Sequence, residues 1–229
     1  MFFFNFDYMM FMIPAFLIML GTQIYVNSTY RKWSKVASLS RMNGAQAAQS
    51  LIRREGLNNV EIEAVRGKLS DHYDPRSKVL RLSEAVYGQA SVASLAIAAH
   101  ELGHALQDDQ GYFPLRLRAL MVPAVNIGSY MGWIFIILGL LLNITGLAWV
   151  GVAVFGLGAL FALATIPVEF NASSRAKQML AESGIIMGEE EQRGVNAVLN
   201  AAALTYVAAL FTAVMQLLYY VSLVSGRRR

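Results

Sequence analysis

Residues His100-Glu101-Leu102-Gly103-His104 spell H-E-x-x-H. On a helix, two histidines four apart lie on one face, about 6 Å apart along the axis. Two imidazole nitrogens so placed can meet one zinc ion at about 2.0–2.1 Å. Glu101, one residue on, is rotated by about 100° around the helix. It can miss the metal yet reach a water bound to it. That pairing is the machinery of metal-assisted hydrolysis, in which the water attacks and the carboxylate takes its proton. The blander reading is a pair of ordinary core histidines. Ring nitrogens left unpaired among apolar neighbours cost free energy, and a metal removes that cost.

The neighbours predict the helix that the motif needs. Ala96, Ala98, Ala99, Leu102, Ala105 and Leu106 are good helix formers. Ser91 or Ser94 is placed to cap the start, and Gly111 and Pro114 to stop the end. The chain has 229 residues, of which 56% are hydrophobic and only 15% charged, with a mean hydropathy of +0.45. Soluble domains carry about 25% charged residues, so this composition points to a membrane. There is no cysteine, which excludes disulfides, thiolate ligands and a cysteine nucleophile. Any metal must be held by His, Asp or Glu. The net charge of +4 reads as membrane-flanking basic residues, and no nucleic-acid partner is expected. The first apolar segment lacks the basic leader and small-residue cleavage site of a signal peptide.

Four stretches are long enough to span a bilayer core, which needs about 20 apolar residues: 8–26, 120–142, 144–167 and 201–224. The second and third, joined by Asn143-Ile144-Thr145-Gly146, form a hairpin. The expected division is an N-terminal membrane helix (1–26), a soluble insert (27–119), a membrane hairpin (120–167), a segment carrying a third ligand (168–200), and a C-terminal membrane helix with a basic tail (201–229). Arg31, Lys32, Lys35, Arg41, Arg116, Arg118, Arg175 and Lys177 flank the first three spans on one side. By the positive-inside rule that side is the cytoplasm. Arg227, Arg228 and Arg229 oppose this if the fourth span crosses.

Within the insert, Asn43 caps a helix running to Arg54 and ended by Gly56. The stretch Val60–Val65 alternates apolar and acidic residues, a half-buried strand. Turn residues around Gly67–Asp71 and Asp74–Ser77 lead to a second short strand, Lys78–Leu82, and an edge of this short sheet could pair with an extended peptide. Ser83 and Glu84 open the helical region that leads to the motif. A catalytic zinc usually has three protein ligands and one open position. The chain has only three histidines, His72, His100 and His104, so the third ligand is His72 or a carboxylate. Glu169, directly after the third span, is the best candidate. Asn171, Ser173, Ser174 and Arg175 follow it and could orient the ligands through hydrogen bonds. Asp108, Asp109 and Glu189–Glu191 read as solvated loop charges.

Three runs carry a resemblance: Asp71-His72-Tyr73-Asp74-Pro75-Arg76, Ala98-Ala99-His100-Glu101-Leu102-Gly103-His104-Ala105, and Pro167-Val168-Glu169-Phe170-Asn171-Ala172-Ser173. In that order, over nearly the whole chain, they resemble the YugP-type family of neutral zinc metallopeptidases of bacterial membranes. A more distant similarity is to the HtpX and Ste24 membrane peptidases, which place H-E-x-x-H before a helical hairpin and take a third ligand from a Glu after it. Their Glu is followed four residues later by an Asp, where this chain has Ser173. The resemblance implies a gluzincin-like endopeptidase with one zinc per chain, held by His100, His104 and Glu169, with Glu101 as the catalytic base. His72, in the first run, could bind substrate or steady an oxyanion. The expected fold is a mainly α integral membrane protein with about four transmembrane helices and a small α+β zincin-like insert. The expected location is the bacterial cell membrane, with the site facing the cytoplasm and protein segments near the bilayer as substrates. The rival is a non-catalytic scaffold or binding protein with a structural metal. It would need a fourth ligand, chiefly His72 or Asp74.

Overall fold

The computed structural model describes residues 6–226; the three terminal arginines that bear on the topology lie outside them. The elements are α1 (Phe6–Trp33), α2 (Gly44–Glu55), β1 (Glu61–Val65), β2 (His72–Asp74), β3 (Val79–Ser83), α3 (Glu84–Gly88), α4 (Val92–Asp109), α5 (Phe113–Leu141), α6 (Thr145–Glu182) and α7 (Glu189–Ser225). The chain is thus mostly helical, with one small sheet. It divides into two compact units.

The first unit takes in the chain up to Gln23, Arg116–Pro167 and the chain from Thr205. The helices α1, α5, α6 and α7 are long and apolar enough to cross a membrane. Phe16, Leu120, Ile127 and Leu160 project from them with large exposed apolar surfaces, which lipid accommodates and water does not. The helices are longer than the apolar stretches in the sequence. Pro14, Pro123 and Pro167 sit inside α1, α5 and α6, so Pro167 does not end α6. Pro114 likewise falls in the first turn of α5, where a missing N–H costs nothing, rather than serving as a terminator.

The hairpin of α5 and α6 is built on small residues. Asn143 adopts a left-handed φ of 56°, and the Ile144 N–H donates back to the Gly139 carbonyl at 2.8 Å, closing the end of α5. A Cβ on Gly139 would lie 2.4 Å from the Ala148 nitrogen, and one on Gly151 would lie 2.6 Å from the Gly132 carbonyl oxygen. The two backbones therefore touch through missing side chains, as membrane helices commonly do. Tyr8, Phe155, Tyr219 and Tyr220 form an edge-on aromatic cluster, with Tyr8–Tyr219 at 5.2 Å and Phe155–Tyr220 at 4.8 Å between ring centres.

The second unit takes in Ile24–Leu115 and Val168–Leu204. Helix α2 begins at a complete capping box, in which Asn43 accepts from the Gln46 N–H and Gln46 accepts from the Asn43 N–H. It ends at Gly56, whose φ of 75° is left-handed. The sheet has order β1-β3-β2, with β1 parallel and β2 antiparallel to the central β3. β3 is buried because both neighbours cover it, and Lys78, at φ 57°, is the turn residue that leads in. β2 replaces part of an expected turn. Its three residues are too few to show alternation, and what anchors its start is long-range: the Asp71 carboxylate accepts from the Ser83 N–H at 2.7 Å and from its hydroxyl. Burial pushes the Asp71 carboxyl up, against those hydrogen bonds.

The helical run expected from Ser83 breaks after Gly88 and restarts at Val92. Between them the Ala90 carbonyl accepts from Ser38, the Val92 N–H donates to Val36, and Ala37 and Ser91 form an isolated bridge. Strand-like pairing takes the backbone groups that a continuous helix would use. Ser91 then caps α4, accepting from the Ser94 N–H at 3.2 Å. The core joins Leu51 of α2, Leu80 and Leu82 of β3, Leu95 and Leu102 of α4, Leu180 of α6 and Leu199 of α7. Glu191 is only 2% exposed and is not a solvated charge. Its carboxylate accepts the Leu39 and Met187 N–H groups, each at 2.8 Å, and so ties down the entry to α7.

The close hairpin gives a paired stability test. Gly139→Ala is expected to destabilise the detergent-solubilised protein by about 1–3 kcal/mol through overpacking. Gly158→Ala, where a Cβ meets nothing within 4 Å, is expected to be neutral or slightly stabilising. Thermal unfolding of the two variants beside wild type checks the contrast.

Candidate metal centre

His100 and His104 point from consecutive turns of α4, and Glu169 reaches them from α6. The close approach of the two helices makes this possible. A Cβ on Gly103 would lie 2.6 Å from the Ala172 carbonyl oxygen, so the α4 backbone at Gly103 rests on the α6 backbone at Ala172. Ala99, Ala172 and Ala176 are fully buried around this contact. One turn before Ala172, Glu169 then meets the histidine face.

The Glu169 Oε2 lies 3.3 Å from His100 Nε2 and 3.4 Å from His104 Nε2. The three donor atoms all fall within 4.8 Å of one another. Four donors at zinc bond lengths in a tetrahedron are separated from each other by about 3.3–3.4 Å, the spacing seen for both Nε2–Oε2 pairs. The chemistry also fits: two imidazole nitrogens and a carboxylate oxygen are a donor set that zinc takes. Glu169 is 1% exposed, whereas the histidine side chains keep 11% and 13% of their surface. The centre is therefore buried on the α6 side and open past the imidazoles. Glu101, the residue between the ligating turns, is partly exposed on α4, and its charge reaches His104. Burial works against charging the His104 imidazole, but the Glu169 hydrogen bond and the Glu101 and Glu169 charges outweigh it and raise its pKa.

The far nitrogens of both rings are occupied. His100 Nδ1 lies 3.2 Å from the Ser173 hydroxyl, and His104 Nδ1 lies 3.0 Å from Gln107 Oε1. Gln107 is fully buried, and its amide nitrogen donates to the Val168 carbonyl at 2.8 Å and to Asn171 Oδ1 at 2.9 Å. Arg175 donates from Nε to the same Asn171 oxygen and from Nη1 to Gln110 Oε1, both at 2.7 Å. Of the candidates after Glu169, Ser173 thus touches a candidate ligand directly, while Asn171 and Arg175 reach His104 only through Gln107. Ser174 is exposed. Gln107 belongs to none of the sequence motifs. Its position three residues after the second histidine is the signal that the sequence does hold.

His72 stands apart from this group. It is exposed on β2, with Nδ1 donating to the Ser70 carbonyl at 2.8 Å. Asp74 is also committed elsewhere. The Ser77 hydroxyl, the Arg76 N–H and Arg81 hold its carboxyl well below the usual range. Among the described residues, the cluster able to hold a metal is His100, His104 and Glu169. Asp108 is not a loop charge: it accepts from the Tyr73 hydroxyl at 2.9 Å and from Lys78, pinning β2 and the turn before β3 to the end of α4. Burial and the Asp108 acceptor push the Tyr73 phenol above its ordinary range.

A family model described as "Putative neutral zinc metallopeptidase" matches residues 8–225. The chain belongs to this family. It is 45% identical over 206 residues to a Bacillus subtilis (strain 168) protein named "Putative membrane protease YugP", covering 90% of this chain and 91% of the relative. No solved structure matches the chain. Membership of a zinc peptidase family agrees with the nitrogen and oxygen donor set of the cluster, and the relative's description agrees with the four apolar helices.

The contact at Gly103 carries its own prediction. Gly103→Ala must push the α4 and α6 backbones apart to relieve a 2.6 Å contact with the Ala172 carbonyl oxygen, which draws Glu169 away from the imidazoles. Zinc affinity is expected to fall, with thermal stability reduced by about 1–3 kcal/mol. Equilibrium zinc titration and melting of the same preparation check both effects.

Proposed function

We propose that the chain is a membrane-embedded zinc endopeptidase with one zinc per chain, held by His100, His104 and Glu169. The observation that carries this reading is the convergence of two Nε2 atoms on one buried carboxylate oxygen, at 3.3 and 3.4 Å. Bound there, zinc supplies Lewis-acid polarisation of a peptide carbonyl and a water acidified to near neutral pH. Glu101 accepts the proton of the attacking water on a carboxylate oxygen and delivers it to the leaving amine nitrogen. Ser173 and Gln107 hold the two imidazoles from behind, so the donor atoms need not be reorganised when substrate enters.

A structural metal in a scaffold protein is less well supported. Such a site is closed by four protein ligands, and His72 and Asp74, the two further candidates, are engaged elsewhere. The substrates in this proposal are membrane proteins or segments emerging from a bilayer, met at the cytoplasmic side. The basic residues after the first and third spans support that side. The edge strand β2, tied to α4 through Tyr73 and Asp108, offers free backbone groups for an extended peptide. His72, exposed on that strand, is then positioned toward substrate rather than metal.

Metal content and turnover test the assignment together. His100→Ala, His104→Ala and Glu169→Ala are each expected to lose most bound zinc, and His72→Ala to keep it. Glu101→Gln is expected to retain zinc and fold but to lose peptide hydrolysis by several orders of magnitude. Full zinc occupancy in the Glu169 variant, or near-normal turnover in the Glu101 variant, would overturn these assignments.

Sidedness is tested with single cysteines in a chain that has none. Exposed positions Ser77→Cys and Ser174→Cys are expected to resist a membrane-impermeant thiol reagent in intact cells and to react after permeabilisation. Thr145→Cys in the hairpin turn is expected to react in intact cells. Labelling of the first two from outside would invert the topology.

A further inference from the structure

The hydrogen bonds behind His104 form a chain whose direction is fixed at one end. A guanidinium only donates. Arg175 Nε lies 2.7 Å from the side-chain amide of Asn171, so the Asn171 oxygen, not its nitrogen, must face it. The same oxygen lies 2.9 Å from the Gln107 amide, so Gln107 must present its NH2 group there. The Val168 carbonyl at 2.8 Å demands the same orientation. Gln107 Oε1 is left facing His104 Nδ1 at 3.0 Å. An amide oxygen only accepts, so His104 must carry a proton on Nδ1. Its Nε2, on the Glu169 side, is then the atom free to offer a lone pair to a metal.

We infer that Gln107 is a positioning residue for the metal centre: its amide oxygen fixes His104 in the Nδ1–H form and so commits Nε2 to the metal. This rests on the zinc reading proposed above. Gln107 touches no reacting atom. It acts through His104, and its donor bonds run to the Val168 carbonyl and the Asn171 side chain, one residue before and two residues after Glu169. A histidine side chain in water favours the opposite tautomer, with the proton on Nε2, so the alignment has to be imposed. Full burial of Gln107 strengthens the case, because a buried primary amide is tolerated only when its groups are paired. Both partners of the NH2 group and the partner of the oxygen are present.

Two substitutions separate this role from that of a mere link between α4 and α6. Gln107→Leu removes the acceptor and the donors. Gln107→Glu keeps an acceptor for the Nδ1–H but loses the donors to Val168 and Asn171. Zinc affinity is measured by competition with a chromophoric chelator on the detergent-solubilised full chain. The Leu variant is expected to bind zinc about 10–100-fold more weakly, the usual effect of losing such a partner, and the Glu variant to stay close to wild type. Equal weakening in both, with the His104 Nδ1 proton kept in the Leu variant, would make Gln107 a structural link only, and unchanged affinity in the Leu variant would remove it altogether.

A second readout needs neither variant to fold nor zinc to bind. The chain has three histidines, so nitrogen-15 labelling of histidine gives a spectrum assignable with His72→Asn and His104→Asn. In metal-free wild type the His104 Nδ1 is expected to keep its proton at alkaline pH, where the ring is neutral and only one of its nitrogens is protonated. A bare Nδ1 would overturn the inference. Failure of wild type to take up zinc, with the Nδ1 proton present, would instead count against the zinc reading alone.

Discussion

The site depends on the approach of α4 to α6 at Gly103 and Ala172. With no side chain on Gly103, the two backbones come within reach of van der Waals contact. Only at that distance does a glutamate, a short side chain for the task, extend from one helix to both histidines of the other. A methyl group at position 103 would lie 2.6 Å from the Ala172 carbonyl oxygen, so one helix must shift, and ligand distances in a metal site tolerate changes of only about 0.2 Å. The glycine inside the H-E-x-x-H run is therefore a structural requirement of the site rather than a neutral filler.

The same contact buries polar groups that must then be satisfied. Glu169 and Gln107 both lie in the interior, where an unpaired carboxylate or amide costs several kcal/mol by transfer estimates. Gln107 is satisfied by a set of hydrogen bonds in which His104 donates to its oxygen and its NH2 group donates to the Val168 carbonyl and to the Asn171 oxygen, which also accepts from Arg175. A shorter one joins Ser173 to His100. The Ser173 hydroxyl holds the His100 ring by a hydrogen bond without adding charge behind it.

Much of this is legible in the sequence because the signals are local. Two histidines four apart, a serine cap at Ser91, a capping box at Asn43 and a left-handed Gly56 all act within a turn or two of chain. The apolar lengths of α1, α5, α6 and α7 are equally plain. Glu169 is reachable because it follows an apolar span and matches a family run. What is not legible depends on distant partners. β2 exists because β3 and Asp71 hold it, not because three residues have strand character. The break between α3 and α4 comes from pairing with residues 36–38. Glu191 and Asp108 look like surface charges because nothing near them in sequence shows the backbone amides of Leu39 and Met187, or Tyr73 and Lys78. Gln107 escapes a reading of the sequence for the same reason, since its partners on α6 lie more than 60 residues away.

The central claim is that His100, His104 and Glu169 share one zinc ion. Anomalous diffraction at the zinc edge from crystals of the zinc-loaded full chain tests it most directly. A single peak is expected within about 2.0–2.2 Å of His100 Nε2, His104 Nε2 and a Glu169 carboxylate oxygen, with Gln107 and Ser173 still behind the rings. A peak that involves His72 in place of Glu169, or none between the α4 histidines and α6, would contradict it.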